Sequence, residues 1–462
     1  AKSATFVASG TLASGQAVVL KSNGQVEAIV ATGGNLVFGT PVAGNSSVVN
    51  VVRSTYDPDS GKVIIIYSDA GNSSYGTYVV GTVSGSTITY GTPAVYISQS
   101  TSADADITYD TLNDKVVIVW KGTSNYGRAI VGTVSGTSIS FGSEVVFASA
   151  ITVDIFCGFD SSSNKVLICY ADGGNSYFAT AIVGTVSGTA ISFGTEAVMY
   201  SGRWYGPQPA FDTALSKFGV GYRDAANSFY VTAVVLTISG TSVSAGSPTV
   251  LASVNGSFTP VAYNTQSGKF ALFHRNGSDG VGVVFSISGT SIVAGNSTTF
   301  DAGLTPYRMS CAYVGSTQEV LLAYVQNSSL TSKYIFAAIS GTTITFSSST
   351  TFDTTVIAEQ PFGVAYDANT GTAVISYKGA SSYLYSSAAS SGNYTDFVGI
   401  TDEAISSAAS GSVVVQGGVN GKVTGLTIGT DYYVQTDGTL NTTVTTVPAG
   451  RALSTTSILL EG

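Results

Sequence analysis

Residues 109–120 read Tyr109-Asp110-Thr111-Leu112-Asn113-Asp114-Lys115-Val116-Val117-Ile118-Val119-Trp120. This is an aromatic, a short polar turn, a lysine, and an apolar run ending on a second aromatic. The unit returns from Tyr56-Asp57 to Tyr67, Phe159-Asp160 to Tyr170, Phe211-Asp212 to Tyr222, Tyr263-Asn264 to His274, Tyr313 to Tyr324, and Tyr366-Asp367 to Tyr377. Its leading aromatics lie 53, 50, 52, 52, 50 and 53 residues apart, which makes seven copies. Self-similarity at such a period marks a repeat architecture.

A second signature runs in step with the first. Ser-Gly turns occur at Gly85, Gly136, Gly188, Gly240, Gly289 and Gly341, each followed by a segment such as Ile139-Ser140-Phe141-Gly142. Each repeat therefore holds four short segments: a before the Asp turn, b after it, c before Ser-Gly, and d after it. Period-two alternation bounded by Gly, Ser and Asn is the strand pattern, and no segment shows a helical period. Four strands in about 50 residues, repeated seven times, predict an all-β chain built as a seven-bladed β-propeller. The first d segment, Leu36-Val37-Phe38-Gly39, precedes the first a–b hairpin, and an unmatched c segment, Ser382-Tyr383-Leu384-Tyr385, follows the last. The final blade is thus predicted to take a, b and c from the C-terminal side and d from residues 34–44. This 3+1 closure leaves no open edge. A 2+2 closure through residues 26–31 leaves residues 383–390 unexplained.

Composition narrows the function. Of 462 residues only 10% are charged, with 18 Lys+Arg against 27 Asp+Glu and a net charge of −9. That excludes a charge-rich disordered tail, a coiled coil and a polybasic nucleic-acid binder. No apolar run reaches the roughly 20 residues that cross a bilayer, so no membrane insertion is expected. Residues 1–5 show no apolar core before a small-residue cleavage site, as in a chain not secreted by that route or one that has lost its leader. Cys157, Cys169 and Cys311 make no disulfide framework. Cys157 and Cys169 fall in adjacent predicted strands and could be bridged, but buried free thiols are expected. His274 is the one histidine, which excludes multi-histidine metal sites, and it fills the slot held elsewhere by Tyr67, Trp120, Tyr170, Tyr222, Tyr324 and Tyr377. It reads as a packing substitute.

The ends differ from the ring. Residues 1–33 and 393–462 are expected to pair into one split β module, with the propeller (34–392) inserted between its halves. Asp396-Phe397-Val398-Gly399-Ile400-Thr401-Asp402-Glu403-Ala404-Ile405-Ser406, then Gly425-Leu426-Thr427-Ile428-Gly429-Thr430-Asp431-Tyr432-Tyr433-Val434-Gln435, then Ala449-Gly450-Arg451-Ala452-Leu453-Ser454, form a pattern. It resembles the C-terminal β modules of tailed-bacteriophage structural proteins, particularly those of marine and cyanobacterial phages. In that family an N-terminal segment like Gly15-Gln16-Ala17-Val18-Val19-Leu20 completes the module. The resemblance covers roughly 100 residues. It implies a virion component on the particle surface, a tail fibre or a capsid-surface protein, whose partners are other virion proteins and which is an oligomer.

No catalytic motif or cofactor fingerprint is present. The repeated Ser-x-Asp-x-Gly-x-Thr-Trp boxes of sialidase propellers are missing, as are a Gly-x-Ser-x-Gly elbow, a phosphate loop and a Cys-x-x-Cys pair. No metal or cofactor is therefore expected. Asp57, Asp110, Asp160, Asp212 and Asp367 recur at one turn position and read as Asx turns. Asp104, Asp106, Asp154 and Glu359 do not recur and are the candidates for a catalytic pair or a calcium site, though nothing in their spacing fixes a geometry. Arg53, Arg203, Arg223, Arg275 and Arg308 read as solvated loop-end groups, with a central anion site as the alternative. Aromatics after strand b (Tyr75, Tyr126, Tyr177, Phe229-Tyr230, Tyr334, Tyr383) either pack between blades or form platforms for sugars. The d–a loop Ser201-Gly202-Arg203-Trp204-Tyr205-Gly206-Pro207 breaks the repeat. Arg203, Trp204, Tyr205, Tyr126, Tyr177 and Tyr230 are the expected binding set, and a host surface glycan is the expected ligand. The expectation is thus a non-enzymatic virion surface protein, against a glycan-processing enzyme or a bacterial cell-surface lectin on the same scaffold.

Overall fold

The computed structural model describes all residues except 1, 21–23, 30–35, 85, 102–103, 328, 355–361, 368–370, 391–396, 435–437, 443–446 and 462. Gly85, Glu359, the start of the Asp396 stretch and the turn at 435–437 therefore lie outside the described residues. The chain is all-β and divides into two compact units, Ala1–Val37 with Ser390–Gly462, and Phe38–Ala389.

The larger unit holds seven antiparallel sheets among the described residues, one per sequence repeat. In the first, strand a is Val49–Asp57, b is Lys62–Asp69 and c is Tyr75–Ser84, joined in that order. Segment d is split into Thr87–Tyr90 and Ala94–Ser100, which pair with opposite ends of strand c. The seventh sheet takes Gly363–Asp367, Thr372–Lys378 and Leu384–Ser390 from one end of the repeats, and Val37–Phe38 and Val42–Ala43 from the other.

The middle of strand b is apolar because both of its faces are covered. In the first sheet Val63 and Ile65 pack with Ala365 and Val374 of the seventh, whereas Ile64 and Ile66 pack with Ile107, Tyr109 and Trp120 of the second. Cores of the same kind lie between the second and third, third and fourth, fourth and fifth, and fifth and sixth sheets. Alternation along one strand thus decides which neighbouring sheet each side chain meets.

The repeated turn residues have structural work. Asp57 Oδ1 accepts from the Asp59 and Ser60 N–H groups at 3.0 and 3.1 Å, and Asp110, Asp160, Asp212 and Asn264 hold their turns alike. The leading aromatic then ties sheets together: Tyr56 Oη donates to Asp367 Oδ2 at 2.6 Å, linking the first sheet to the end of strand a in the seventh. Gly142 and Gly194 end the first d piece because a Cβ there would lie 2.0 Å from the carbonyl oxygens of Thr189 and Thr241, in the next sheet's c–d turn. Cys157 pairs in register with Ile168, Cys169 with Phe156, and all three cysteines are free.

In the smaller unit, two C-terminal strands lie between N-terminal ones in one sheet: Ser3–Val7, Ser410–Val415, Phe397–Thr401, Ala17–Leu20 and Val26–Ala28, in that order. A second sheet runs Val419–Asn420, Ile458–Leu460, Pro448–Ala452, Asp431–Val434 and Leu440–Asn441. Val19, Ile400 and Val414 of the first pack against Val434, Ala449 and Ile458 of the second.

Candidate functional site

Strand a departs from regular pairing near its start. Between Asn50 and Arg53, Val153 and Phe156, Tyr205 and Gln208, and Tyr307 and Ser310, its register against strand b slips by one residue. Each slip contains a left-handed residue: Val51 (φ 52°), Asp154 (φ 55°), Gly206 (φ 58°) and Arg308 (φ 50°). Phe258 (φ 59°) holds the same place ahead of strand Val261–Asn264. Only Gly206 suits this conformation; a side chain there costs about 1–3 kcal/mol. Bulges of this kind bend a strand and re-aim its side chains. Here the residues around them wall a cavity of about 720 Å³ to which all seven sheets contribute.

The wall is electrostatically uneven. In the second and third sheets, carboxylates are matched by cations: Arg53 with Asp106 at 3.6 Å, Lys121 with Asp104 at 2.9 Å, and Arg203 with Asp154 at 3.1 Å. Asp106 Oδ2 also accepts from the Cys157 N–H at 2.9 Å. Burial pushes the Asp106 and Asp154 carboxyls above their usual range despite these partners, and pulls the Arg53 and Arg223 guanidiniums down. Arg223, Arg275 and Arg308, from the fourth to sixth sheets, line the same cavity. The hydrogen-bond partners given for two of them are neutral: Arg223 donates to Asn255 Oδ1 at 3.2 Å and Arg275 to Ser257 Oγ at 3.3 Å.

Aromatic rings interleave with these arginines. The Arg203 guanidinium lies 4.0 Å from the Tyr205 ring and 4.9 Å from Tyr177, and Arg223 lies 5.7 Å from Tyr205 and 5.1 Å from Phe229. Arg308 sits 4.7 Å from Tyr307 and 5.8 Å from Phe258, with Arg275 5.7 Å from Tyr307. Stacking over rings fixes a guanidinium's plane while leaving its edge N–H groups free to donate. Rings that take a sugar's CH face, beside forked donors for its oxygens, are what this arrangement offers.

The sequence-predicted set divides. Arg203 stacks on Tyr205 and Tyr177, but of the three only Tyr205 lines the cavity; Arg203 and Tyr177 stand behind it. Trp204 does not present itself: it has no exposed surface, and its indole N–H donates to the Tyr170 carbonyl at 2.8 Å. Its neighbour Gly206 supplies the bulge that turns the chain. Tyr126 is exposed in the turn after strand b of the second sheet, and Tyr230 opens strand c of the fourth; neither is part of the cavity wall. Tyr334 packs against Phe38 at 4.8 Å, as an inter-sheet residue. Arg53, Arg223, Arg275 and Arg308, read from sequence as solvated loop-end groups, line the cavity instead. Phe156, Phe258 and Tyr307 line the cavity as well, and none stands out in the sequence read one repeat at a time. Aligning the repeats on their leading aromatics puts Tyr307 at the place of Tyr205, and that signal was available.

No protein-family model and no curated protein matches the sequence. Among solved structures, the chain is similar to AofleA from Arthrobotrys oligospora, at 7% identity over 67% of this chain and 89% of that one, with a TM-score of 0.42. It is similar to the Aleuria aurantia lectin in complex with Fucα1-6GlcNAc, at 11% identity over 69% and 100%, with a TM-score of 0.42. A β-propeller domain from Myceliophteria thermophila matches at 7% identity over 76% and 98%, with a TM-score of 0.48. Likenesses this loose say nothing about a ligand.

Proposed function

We propose that residues 38–389 form a closed seven-bladed β-propeller and that this propeller is a non-enzymatic carbohydrate-binding module, with its ligand seated in the central cavity. The observation that carries the reading is the set of Tyr205, Tyr307 and Phe258 interleaved with Arg223, Arg275 and Arg308 around that cavity, backed by Arg203 and Phe229 stacked behind Tyr205 and Arg223. The inter-sheet core joining the first and seventh sheets, and the Tyr56–Asp367 bond, support closure. In this proposal the smaller unit is the assembly end, joining the propeller to a virion as its resemblance implies. A glycan array run with the full chain tests the binding role: a defined set of bound sugars supports it, and a blank array refutes it. Deleting residues 394–462 tests the assembly role, since particles that still incorporate the propeller refute it.

A second reading, a glycan-processing enzyme, draws on Asp104, Asp106 and Asp154 in the same cavity. Each is engaged by a cation, and Asp104 Oδ1 also accepts from the Asp154 N–H at 3.3 Å. That engagement favours structural carboxylates over a free acid and base. Release of reducing sugar from array-positive glycans, abolished by Asp106→Asn, would establish the enzyme instead.

A further inference from the structure

The cavity has one half in which charge is balanced and one in which it is not. Arg53, Lys121 and Arg203 each have a carboxylate within ion-pairing distance. Among the described residues, Arg223, Arg275 and Arg308 are in no ion pair. The Nε–H groups of Arg223 and Arg308 are buried with no hydrogen-bond partner. The carboxylate that acts favourably on Arg223, after Tyr205, is Asp154, already bound to Arg203, while Arg275 acts on Arg223 by repulsion and Arg308 acts on Arg53 in the same sense. Three uncompensated guanidiniums in one recess are unfavourable without an anion, because burial weakens their hydration while their mutual repulsion grows. The chain has only 18 Lys and Arg against 27 Asp and Glu, so leaving three cations unpaired here is not a consequence of excess. The backbone adds to this: Arg308 stands at the left-handed bulge position (φ 50°), where its strained conformation aims the side chain at the recess.

We propose that Arg223, Arg275 and Arg308 form an oxyanion-binding subsite, and that the carbohydrate taken by this cavity is an acidic one, carrying a carboxylate or a sulfate. The proposal rests on the carbohydrate-binding reading above and specifies its substrate class. Guanidinium forks donate in parallel to either group, and Tyr205 and Tyr307 flank the subsite to take the adjoining sugar ring.

Calorimetric titration of the full chain with three probes tests this: an oligogalacturonate, a sulfated galactan oligosaccharide, and an uncharged galactan oligosaccharide of equal length. The expected result is that one or both acidic probes bind at least about tenfold more tightly than the neutral one, with affinity falling as salt rises. Whichever acidic probe binds identifies the group. Arg308→Met and Arg275→Met should each weaken the acidic probe about tenfold or more and leave the unliganded melting temperature unchanged or higher, since each removes an unpaired cation. Equal binding of neutral and acidic probes, insensitive to both substitutions, overturns the acidic subsite and leaves the carbohydrate reading standing. No binding of any of the three, together with a blank array, overturns both. Inorganic sulfate competing as tightly as the sulfated sugar overturns the assignment to a carbohydrate and leaves a simple anion site.

Discussion

Replacing His274 with Phe should remove a defined part of the protein's acid sensitivity. His274 is 1% exposed in strand b of the fifth sheet, in the slot that five other sheets fill with Tyr and one with Trp. Gly256 backs it closely; a Cβ there would stand 3.6 Å from Nδ1. Burial lowers its pKa from 6.5 to about 4. Above pH 6.5 the imidazole is neutral in both folded and unfolded chains, and no penalty arises. Between pH 6.5 and about 4 the unfolded chain takes up a proton that the folded one excludes, so stability falls with falling pH. At about 1.4 kcal/mol per pH unit, the loss is about 1.4 kcal/mol at pH 5.5 and about 3 kcal/mol at pH 4. Carboxylates contribute their own acid dependence, so the quantity to measure is the difference between wild type and His274→Phe. Urea unfolding followed by near-ultraviolet circular dichroism at pH 7.5, 5.5 and 4 gives it. The two curves should lie within about 1 kcal/mol at pH 7.5, a volume-tolerant swap in the core, and separate by about 3 kcal/mol at pH 4. Parallel pH profiles would refute the argument, since they would mean that His274 is protonated equally in the folded chain.

Three further substitutions probe the scaffold and the site separately. Tyr56→Phe removes the hydroxyl that joins the first sheet to Asp367 of the seventh, and should lower unfolding stability by about 1–3 kcal/mol with no change in fold by circular dichroism. Gly142→Ala places a methyl group 2.0 Å from the Thr189 carbonyl oxygen, and should lower the melting temperature by several degrees or prevent folding. Trp204→Phe leaves the Tyr170 carbonyl without its indole donor, costing about 1–3 kcal/mol in urea unfolding, yet it should leave ligand affinity unchanged because Trp204 has no surface at the cavity.

Much of the fold was legible because its causes are local. The Asp turn, the continuous apolar strand b and the Ser-Gly turn each act within a dozen residues, and repetition removed chance from the pattern. The break in segment d is not legible: glycines such as Gly142 stand out, but their reason is the Thr189 carbonyl of the next sheet. The site was harder. The bulge that shapes the cavity falls on Val51, Asp154, Gly206, Phe258 and Arg308, which share no chemistry, so only register against the leading aromatic could have exposed it. Trp204 is deceptive in sequence because its rarity and its departure from the repeat suggest a ligand, whereas its indole bridges two sheets through Tyr170. The arginines misled in the opposite sense. A position at a strand end suggests solvent, but strand ends that converge from several sheets meet around a common space.

The central claim is that carbohydrate sits in the cavity, and a crystal structure with the best array-positive glycan tests it most directly. The account predicts a sugar ring against Tyr205 or Tyr307 with oxygens within hydrogen-bond reach of Arg223, Arg275 or Arg308. A glycan bound at the outer segments between neighbouring sheets, with the cavity unchanged, would contradict it.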